Sequence, residues 1–412
     1  MYKRKIINDP VYGLIEIPYG IVFEVIEHPY FQRLRRVKQL GLSHYVYPGA
    51  THTRFEHVLG AMHLMTLAVA SLRGKGVEIS DDEELGVVLA ILLHDVGHGP
   101  FSHTLERQFV EGSSHEVFTL LIMRELNVHF GGKLATCIAI FENRYPKKFL
   151  HQLVSSQLDM DRLDYLGRDS FYTGVSEGVV GADRIIKMLT LHNDQLAVEA
   201  KGIYSIENFL ISRRLMYWQV YLHKTVLVSE KLLTHIVHRA KALVQSGRML
   251  FATPALNFFL SRNFSALDVL NSDDSDGITD LVRNFAAIDD TDILSAIKVW
   301  ASDEDRVLSF LSGALINRRF FRIEIQEHPF DEERVANLRI EWATKLGVDV
   351  DLAKYLVFTG SVSNHAYSIK SDQINILYKD GREVDVSKAS DMFNISVLSR
   401  NVKKYYLSEP KL

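Results

Sequence analysis

Residues 92–103 read LLHDVGHGPFSH and place three histidines and one aspartate after an apolar segment. The run Leu85–Leu93 predicts a helix that is buried on every face. Ser80 and Glu83 have the spacing of a capping box, which predicts where this helix begins. Glycines and a proline within residues 97–100 then break or bend the helix. The stretch therefore predicts a buried helix that delivers polar residues at its carboxyl end.

The polar residues at this helix end predict a metal site. His94, Asp95, His98 and His103 offer imidazole nitrogens and a carboxylate oxygen, which suit manganese, iron, nickel or magnesium, whereas thiolates would have favoured zinc. A helix carboxyl end also presents unpaired carbonyls and the negative pole of the helix dipole, and both stabilise a cation. The alternative is a set of histidines bonded to backbone carbonyls at a corner between helices. We expect a divalent cation.

The remainder of the chain predicts a mostly α protein with a smaller carboxy-terminal α+β lobe. The 412 residues and the 47% hydrophobic content suffice for sizeable cores. Apolar residues recur every three or four positions between about residues 20 and 250, which is typical of helices. Strand-like alternation begins after about residue 255. We therefore predict one helical domain over residues 1–255 and an α+β lobe over residues 256–412.

Several elements of the lobe can be predicted individually. Alternation over Phe321–Gln326 predicts a strand, and the apolar spacing of Val335–Leu346 predicts a helix that stops at Gly347. The remaining predictions are strands at 354–359 and 374–378, a hairpin turn at Asp380–Gly381 before a strand at 383–386, and a loop or linker over Ser272–Asp280.

Charge and cysteine content exclude several classes of protein. The 47 basic and 51 acidic side chains give a net charge of −4, which disfavours nucleic acid or an anionic membrane as partner. The single cysteine, Cys137, cannot form an intrachain disulfide, and no apolar run follows the basic amino-terminal residues. Leu85–Leu93 is too short to span a bilayer. We predict a cytoplasmic protein without a membrane partner.

Two further segments could complete a metal site. His57 shares a predicted helix face with Gly60 and Ala61, and these small residues would let a second helix come close. In the segment at 159–169, aspartates occupy positions 159, 161 and 164. Helical periodicity does not choose among these three acids.

Five segments together resemble one known family. They are, in order, IINDPVYGLIEI, FQRLRRVKQLG, YVYPGATHTRFEHVLG, LLHDVGHGPFSH and DMDRLDYLGRDS. They resemble the HD-domain metal-dependent phosphohydrolases, in the branch of the deoxynucleoside triphosphate triphosphohydrolases. The resemblance implies an HD-domain helical core, and it implies that His57, His94, Asp95 and Asp161 bind a divalent ion. Manganese, iron, nickel, magnesium and zinc all stay open as the metal.

The resemblance also implies which residues contact a triphosphate substrate. Arginine forks match phosphate oxygens, and Arg162 stands where the vertebrate relative has lysine. The spacing of Arg213, Tyr217, Tyr221 and Lys224 puts them on one face of a helix predicted over 212–225, although such a face could equally be a surface stripe. The substrate-binding residues implied are Gln39, Arg54, Arg162, Tyr165, Asp169, Arg213, Tyr217, Tyr221 and Lys224.

The same resemblance assigns proton transfer. His103 matches the general acid that would protonate the departing 5′-oxygen, and Glu106 can orient its imidazole. His98 and His115 match histidines that contact phosphates, and His98 is also a candidate proton carrier. We therefore expect a catalytic set of His103, Glu106, His98 and His115.

The function implied is hydrolysis of deoxynucleoside triphosphates to deoxynucleoside and inorganic triphosphate, by attack of metal-bound hydroxide on the α-phosphorus. Alternatives are an HD phosphatase or phosphodiesterase that acts on another nucleotide, and a catalytically silent regulator that responds to nucleotide or nucleic acid. A homo-oligomer, dimer or tetramer, is expected. Gln32 and Arg35 match residues that bind a nucleotide activator, whereas Glu27 replaces an aspartate, so the activator stays open. Leu222 departs from the family at a base contact, and the preferred base is not implied.

Overall fold

The structure is a computed structural model that describes residues 4–265, 275–364, 373–391 and 402–411. The side chains of residues 4, 103, 107, 275, 276 and 364 lie outside the description. Helices make up 59% of the chain and the sheets are small, so the predicted mostly α fold is confirmed.

The helices follow one another through most of the chain, with short turns between them. The α-helices are α1 (Ile21–Glu27), α2 (Pro29–Gln32), α3 (Arg54–Gly74), α4 (Asp81–Leu93), α5 (Glu106–Phe109), α6 (His115–His129), α7 (Ala135–Phe141), α8 (Lys148–Val154), α9 (Met160–Thr173), α10 (Ala182–Met188), α11 (Ile203–Met216), α12 (Lys224–Gln245), α13 (Pro254–Ser261), α14 (Ser275–Ala287), α15 (Asp290–Trp300), α16 (Arg306–Ile316), α17 (Glu332–Leu346) and α18 (Val386–Ala389). Turns of 3₁₀ helix lie at Arg33–Arg36, Ser43–Tyr45, Ser102–Thr104, Ser176–Gly178, Ala200–Gly202 and Val350–Tyr355, and a π-helical turn spans Tyr217–Tyr221.

Three small sheets lie around the helices. The strands are β1 (Arg4–Asp9), β2 (Gly13–Pro18), β3 (Leu189–His192), β4 (Gln195–Glu199), β5 (Arg322–Gln326), β6 (Phe358–Asn364), β7 (Asn375–Leu377), β8 (Glu383–Asp385) and β9 (Val402–Glu409). β1 and β2 form a hairpin, β5-β9-β6 is antiparallel, and the third sheet has the order β3-β4-β7-β8. β7 pairs in parallel with β4, so this third sheet contains strands from both predicted domains. The boundary at residue 255 stays a prediction.

The centre of the fold is α3, which packs on both α4 and α9. The predicted capping box of α4 is confirmed: the Ser80 N–H donates to Glu83 Oε2 at 2.8 Å, and the Glu83 N–H donates to Ser80 Oγ at 3.2 Å. A similar box begins α3, where the Thr53 N–H donates to Glu56 Oε2 at 2.5 Å. Helix α4 is buried from Gly86 to its last residue, Leu93. The polar residues that follow α4 therefore lie at the end of a buried helix, as predicted.

The prediction of one continuous helix over residues 212–225 is wrong. Helix α11 ends at Met216 and a π-helical turn follows, in which the Leu222 N–H donates to the Tyr217 carbonyl at 2.8 Å. The wider turn changes the helical register. His223 then caps the separate helix α12, because its Nδ1 accepts the Thr225 N–H at 3.2 Å. Residues spaced for one helix face are consequently divided between three segments.

Two predictions in the lobe also need correction. The predicted loop at 272–280 is helical from Ser275 onward, and residues 272–274 lie outside the described residues. The apolar face of this helix explains the difference, since Phe285 stacks on Phe118 with ring centroids 3.8 Å apart. The strand predicted at 354–359 starts at Phe358, where pairing with Ser408 of β9 begins. Tertiary pairing thus determines this boundary.

The other elements predicted for the lobe are confirmed. Strand β5 lies at the predicted alternation, and β7 and β8 form the hairpin whose turn contains Gly381 at φ 84°. Helix α17 ends at Leu346, and the residue that caps it is Gly347, whose φ of 64° suits glycine because a side chain there would be strained.

Helix α3 is the one helix among the described residues that is long and apolar enough to cross a membrane. The sequence prediction considered only the shorter Leu85–Leu93 run and missed it. Within the protein, 67% of its apolar window is buried. Its side chains form the core between α4 and α9, as expected for the central helix of a globular fold.

Candidate metal centre and active site

Three helical elements bring the four predicted metal ligands together. His57 lies in the first turn of α3, His94 and Asp95 directly follow α4, and Asp161 lies in the first turn of α9. His57 Nε2, His94 Nε2 and an Asp161 oxygen lie within 4.8 Å of one another. Asp95 oxygens lie 3.3 Å from His94 Nε2 and 3.6 Å from His57 Nε2. The residues predicted from three separate sequence segments thus form one cluster.

The ring nitrogens of this cluster fit a metal ion. His57 Nε2 and His94 Nε2 are buried and have no hydrogen-bond partner within the described part of the chain. Their other nitrogens are engaged: His57 Nδ1 lies 2.7 Å from Asp164 Oδ2, and His94 Nδ1 lies 2.6 Å from the Ile91 carbonyl. These acceptors favour a proton on Nδ1, which leaves the Nε2 lone pairs for a metal. Two imidazoles and two carboxylates suit a divalent ion.

The charges of the cluster also favour a cation. Burial alone would lower the pKa of His57, but the Asp161 and Asp164 carboxylates outweigh it and raise the pKa to about 10. Burial would raise the pKa of Asp161, but His94 and His57 hold it below its usual range. The carboxylates are therefore ionised at neutral pH. A metal ion that binds here must displace an imidazole proton.

Helices α3 and α9 approach closely because Gly60 has no side chain. A Cβ added at Gly60 would lie 2.0 Å from Asp164 Oδ1 and 2.2 Å from Arg168 Nη2. The expectation that small residues near His57 admit a second helix is confirmed. Arg168 is fully buried, binds Asp164 through Nε at 2.9 Å, and donates from Nη1 to Asp9 at 2.8 Å. The close contact thus places Asp164 against His57.

The structure distinguishes the three aspartates that periodicity could not. Asp159 caps α9, since its side chain accepts the Arg162 N–H at 2.7 Å. Asp161 faces the two histidines, and Asp164 lies behind His57. Each carboxylate has a different environment, so only Asp161 is placed as the resemblance implied for a ligand.

Arg54 lies buried beside the metal cluster. Its Nη1 donates to Asp95 Oδ2, and its Nε and Nη2 donate to Ser102 Oγ at 3.0 and 2.7 Å. Burial would raise the pKa of Asp95, but the Arg54 guanidinium outweighs it and holds that pKa well below its usual value. Arg54 thus joins the metal cluster to the loop that follows it. Its predicted contact with phosphate stays a prediction.

Two histidines lie face to face on the other side of Asp95. The rings of His98 and His115 stack with centroids 3.9 Å apart and planes at 14°. His98 Nε2 lies 3.2 Å from Asp95 Oδ1. Burial, together with the Arg54 charge, lowers the pKa of His98 well below its usual value. A neutral His98 can donate or accept a proton within the site.

Glu106 contacts His115 among the described side chains. Its Oε1 accepts the His115 backbone N–H and lies 3.1 Å from His115 Nδ1. The side chain of His103 lies outside the described residues, although its backbone belongs to the turn Ser102–Thr104. The predicted orientation of His103 by Glu106 therefore stays a prediction.

A row of aromatic rings leads from the metal cluster to Asp169. The Tyr165 ring lies 6.5 Å from His57 and 6.3 Å from Tyr221, measured between centroids. The Tyr221 hydroxyl donates to Asp169 Oδ2 at 2.8 Å. Predicted substrate-binding residues thus lie directly beside the predicted metal ligands.

The environment of Asp169 includes a histidine that sequence reasoning missed. His52 Nε2 lies 2.8 Å from Asp169 Oδ1, and its ring stacks on Tyr172 at 4.4 Å. The Gln39 N–H donates to the His52 carbonyl at 3.0 Å. Gln39 Oε1 is buried without a hydrogen-bond partner among the described residues. Tyr221 and His52 therefore share Asp169, and the backbone of Gln39 joins that of His52; the role of Gln39 in substrate binding stays a prediction.

Basic side chains converge on Tyr165. Burial raises the pKa of Tyr165 above its usual range, while the Arg162 and Arg213 charges oppose that rise. Arg213 is only 8% exposed, and its Nε and Nη1 have no partner among the described residues. Such an arginine can accept a phosphate as its counter-ion. Arg162 is already bound to the Ser156 carbonyl at 2.6 Å.

The two remaining predicted contacts differ in position. The Tyr217 ring lies 5.2 Å from Tyr221, at 88°, and so borders the same region. Lys224 is exposed at the first position of α12, beyond the break after the π-helical turn. Their roles in substrate binding stay predictions.

The sequence carried a signal for some of the missed residues. Asp164 and Arg168 have the i, i+4 spacing of a helical ion pair. Ser102 lies inside the quoted stretch at 92–103, and His52 precedes Arg54 by two residues. What the sequence does not contain is the direction in which each side chain points.

Comparisons with known proteins agree with this geometry. The HD domain family matches residues 54–169, and the HD associated region matches residues 180–249. The uncharacterised Bacillus subtilis protein YwfO is 32% identical over 369 residues, which cover 87% of this chain and 80% of that protein. The crystal structure of a phosphohydrolase from Bacteroides thetaiotaomicron is 52% identical, with a TM-score of 0.95 over 99% of this chain and 100% of that chain. The chain belongs to the HD-domain phosphohydrolase family of hydrolases.

A further relative indicates the branch of that family. Deoxynucleoside triphosphate triphosphohydrolase SAMHD1 of Gallus gallus is 30% identical over 285 residues, which cover 58% of this chain and 46% of that protein. The predicted resemblance to the triphosphohydrolase branch is therefore confirmed. HD domains bind divalent metals, and the clustered histidines and aspartates agree with that property.

Proposed function

We propose that the protein hydrolyses deoxynucleoside triphosphates to deoxynucleosides and inorganic triphosphate. The observation that carries the proposal is the position of Tyr221 and Asp169 beside the metal cluster, linked to His57 by Tyr165. A sugar held there would have its α-phosphate near His57, His94, Asp95 and Asp161. The similarity to SAMHD1, whose name states this activity, supports the same reading.

The proposed hydrolysis forms one phosphorus–oxygen bond and breaks another. The oxygen of water joins the α-phosphorus, the bond between that phosphorus and the 5′-oxygen breaks, and the 5′-oxygen receives a proton. A divalent ion held by His57, His94, Asp95 and Asp161 would polarise water and a phosphate oxygen. The remaining work of binding and proton transfer belongs to the side chains around the cluster.

The triphosphate needs positive charge, and Arg213 supplies it. Its two unpartnered buried nitrogens would gain acceptors when phosphate binds. Arg162 adds a second charge near Tyr165, although its Nε already binds the Ser156 carbonyl. We therefore propose that Arg213 is the principal phosphate contact and that Arg162 assists it.

A departing alkoxide needs a proton, and the histidines next to Asp95 can supply one. We retain His103 as the proposed general acid, with Glu106 as its proposed orienting group. The stacked pair His98 and His115 provides a neighbouring route for protons and a contact for phosphate. Loss of turnover with retained metal in His103→Ala would support the assignment.

Deoxyribose selection follows from the packing of Tyr221. Its hydroxyl is held by Asp169, so the ring has little freedom to move away from a 2′-hydroxyl. A steric contact of this kind can discriminate strongly between dATP and ATP. Gln39 Oε1 has no partner among the described residues and would accept the 3′-hydroxyl. Asp169, whose two oxygens already face His52 and Tyr221, would accept it as an additional contact.

The decisive experiment incubates metal-loaded protein with each dNTP, with all four together, and with ATP, and identifies the products by chromatography. The proposal expects deoxynucleoside and triphosphate, a larger kcat/KM for dATP than for ATP, and no products after chelation. Release of orthophosphate or of a nucleoside monophosphate would instead support an HD phosphatase or phosphodiesterase. Absence of turnover with every nucleotide would support the silent regulator.

Two matched variants sharpen this experiment. Tyr221→Ala should reduce the preference for dATP over ATP by about tenfold or more, because the steric contact is lost. Tyr204→Ala, on the 58% exposed tyrosine of α11, should leave the preference unchanged. Equal kcat/KM for ATP and dATP in the unmodified protein would refute the sugar assignment.

We further propose that the protein acts in the cytoplasm as a homo-oligomer, dimer or tetramer. Light scattering of the purified protein tests the assembly, and cell fractionation tests the location. Activity that requires the mixture of dNTPs would support a nucleotide activator bound by Gln32 and Arg35.

A further inference from the structure

The loop that follows the metal ligands contains an unusual backbone turn. Phe101 and Ser102 have φ values of 53° and 48°, in the left-handed region. Neither residue is glycine, and a non-glycine residue in that region costs of the order of 1 kcal/mol or more unless neighbouring contacts impose the conformation. The contacts that impose it should therefore be visible around residues 96–102, the catalytic loop.

Asp290 binds the strained turn directly. Its Oδ1 accepts the Phe101 N–H at 2.8 Å, and its Oδ2 accepts the Lys38 N–H at 2.9 Å. The residue is 4% exposed, at the first position of α15. Burial raises the pKa of Asp290 to about 6, so the carboxylate is mostly ionised at neutral pH and both oxygens can accept. Phe101 is thus held by a residue 189 positions away in the chain.

Arg33 holds the start of the same loop. Its side chain is fully buried, and its Nη2 donates to the Val96 carbonyl at 2.9 Å and to the His98 carbonyl at 2.8 Å. Its Nη1 donates to the Ile288 carbonyl at 3.1 Å. Arg33 therefore ties the catalytic loop to the same segment that carries Asp290.

The catalytic loop determines the positions of several groups in the site. Ser102 Oγ binds Arg54, which in turn binds Asp95, and His98 lies within the loop. His103 follows the loop directly. A shift of about 1 Å in such groups can lower a rate about a hundredfold.

We propose that Arg33 and Asp290 are positioning residues that hold the catalytic loop in its strained geometry. Turnover then depends on residues 288–290, which lie beyond the segments matched by the HD domain and the HD associated region. The kinetic consequence rests on the proposed function, whereas the structural consequence does not.

Asp290→Asn tests the proposal with little change in shape. An amide offers one acceptor, so either the Phe101 or the Lys38 contact is lost. The matched control is Asp289→Asn, at the adjacent residue that caps α15 and binds Arg36 but does not contact the loop. Arg33→Lys is a second variant, which keeps the charge but loses the fork that reaches three carbonyls.

Hydrogen exchange of a peptide that spans residues 96–105 gives a readout independent of activity. Asp290→Asn and Arg33→Lys should each accelerate exchange there at least tenfold, whereas Asp289→Asn should not. In dNTP hydrolysis, the two variants should lose about tenfold to a hundredfold in kcat, with KM changed less than twofold and metal content unchanged.

Unchanged hydrogen exchange in both variants would overturn the proposal. Equal acceleration in the Asp289→Asn control would also overturn it, because a change in helix α15 rather than loss of the loop contact would then be responsible. Accelerated exchange with an unmodified protein that hydrolyses no dNTP would leave the loop contact supported and the proposed function refuted. Wild-type kcat in variants with accelerated exchange would overturn the positioning role.

Discussion

His57 Nδ1 lies 2.7 Å from Asp164 Oδ2, and both side chains are fully buried. Arg168 Nε binds the same carboxylate oxygen at 2.9 Å, and Arg168 is itself held by Asp9 of the amino-terminal hairpin. The imidazole is therefore fixed in rotation, with Nδ1 directed toward Asp164 and Nε2 directed toward Asp161. Asp164 would therefore act on a bound metal through His57 rather than by contact.

The first prediction is that Asp164→Asn weakens metal binding about tenfold to a hundredfold, the usual effect of losing a carboxylate that orients a histidine ligand. Metal content after dialysis and titration with Mn²⁺ measure it. Asp159→Asn is the control, because Asp159 caps the same helix without touching His57. An affinity equal to that of the unmodified protein would show that Asp164 has no part in orienting the ligand.

The second prediction concerns protons. Since Asp161 and Asp164 overcome burial and raise the pKa of His57 to about 10, His57 is protonated in the metal-free protein at pH 8. Binding of a divalent ion should then release about one proton, and the apparent affinity should rise with pH by up to about tenfold per unit. Calorimetry in buffers of different ionisation enthalpy counts the protons. Heats that do not depend on the buffer would contradict a charged His57.

Local sequence predicted the His94 and Asp95 part of the metal cluster, whereas the family resemblance implied His57 and Asp161. The motif at 92–103 includes the end of a buried helix whose capping box is visible in the sequence. His94 and Asp95 are therefore placed together at the carboxyl end of that helix. Periodicity placed Asp159, Asp161 and Asp164 on one helix but could not rank them. Their differences arise from contacts with residues 57 and 168, and these depend on how α3 meets α9.

Other features depend on contacts that no local pattern describes. The π-helical turn at Tyr217–Tyr221 interrupts a segment in which the predicted substrate contacts have the spacing of one continuous helix. Asp290 binds the Phe101 backbone across 189 positions of the chain, and nothing in the spacing of either segment indicates the contact. Tertiary packing therefore decides which polar groups surround the predicted ligands.

The third prediction compares Gly60, which lies at the contact of α3 with α9, with Gly167, which lies on α9 away from that contact. Gly60→Ala should destabilise the protein by about 1–3 kcal/mol, because its Cβ would overlap Asp164 and Arg168. Gly167→Ala, where a Cβ meets nothing within 4 Å, should stabilise it by about 0.5–1 kcal/mol through helix propensity. Thermal unfolding of both variants measures the difference. Equal shifts of Tm would mean that the two helices can separate without cost.

The fourth prediction concerns Glu230 on α12. Burial raises its pKa to about 7, while the Lys231 charge and a hydrogen bond with Thr104 oppose that rise. A raised folded-state pKa means that the stability associated with the protonated carboxyl is fully present below the unfolded-state pKa and is lost as the pH rises through 7. Glu230→Gln removes this pH-dependent loss of stability, because an amide does not ionise.

As the pH rises from 5 to 8, the free energy of unfolding of the variant should therefore increase by about 1–3 kcal/mol relative to that of the unmodified protein. This figure is discounted for partial exposure of the side chain. Tm measured at both pH values for each protein tests this expectation. Glu304→Gln, at a side chain that is 98% exposed, is the control and should shift Tm similarly at the two pH values. If Glu230→Gln shifted Tm equally at the two pH values, as the control should, ionisation of the Glu230 carboxyl would carry no cost. Water would then have to reach that carboxyl between α12 and the turn at Thr104.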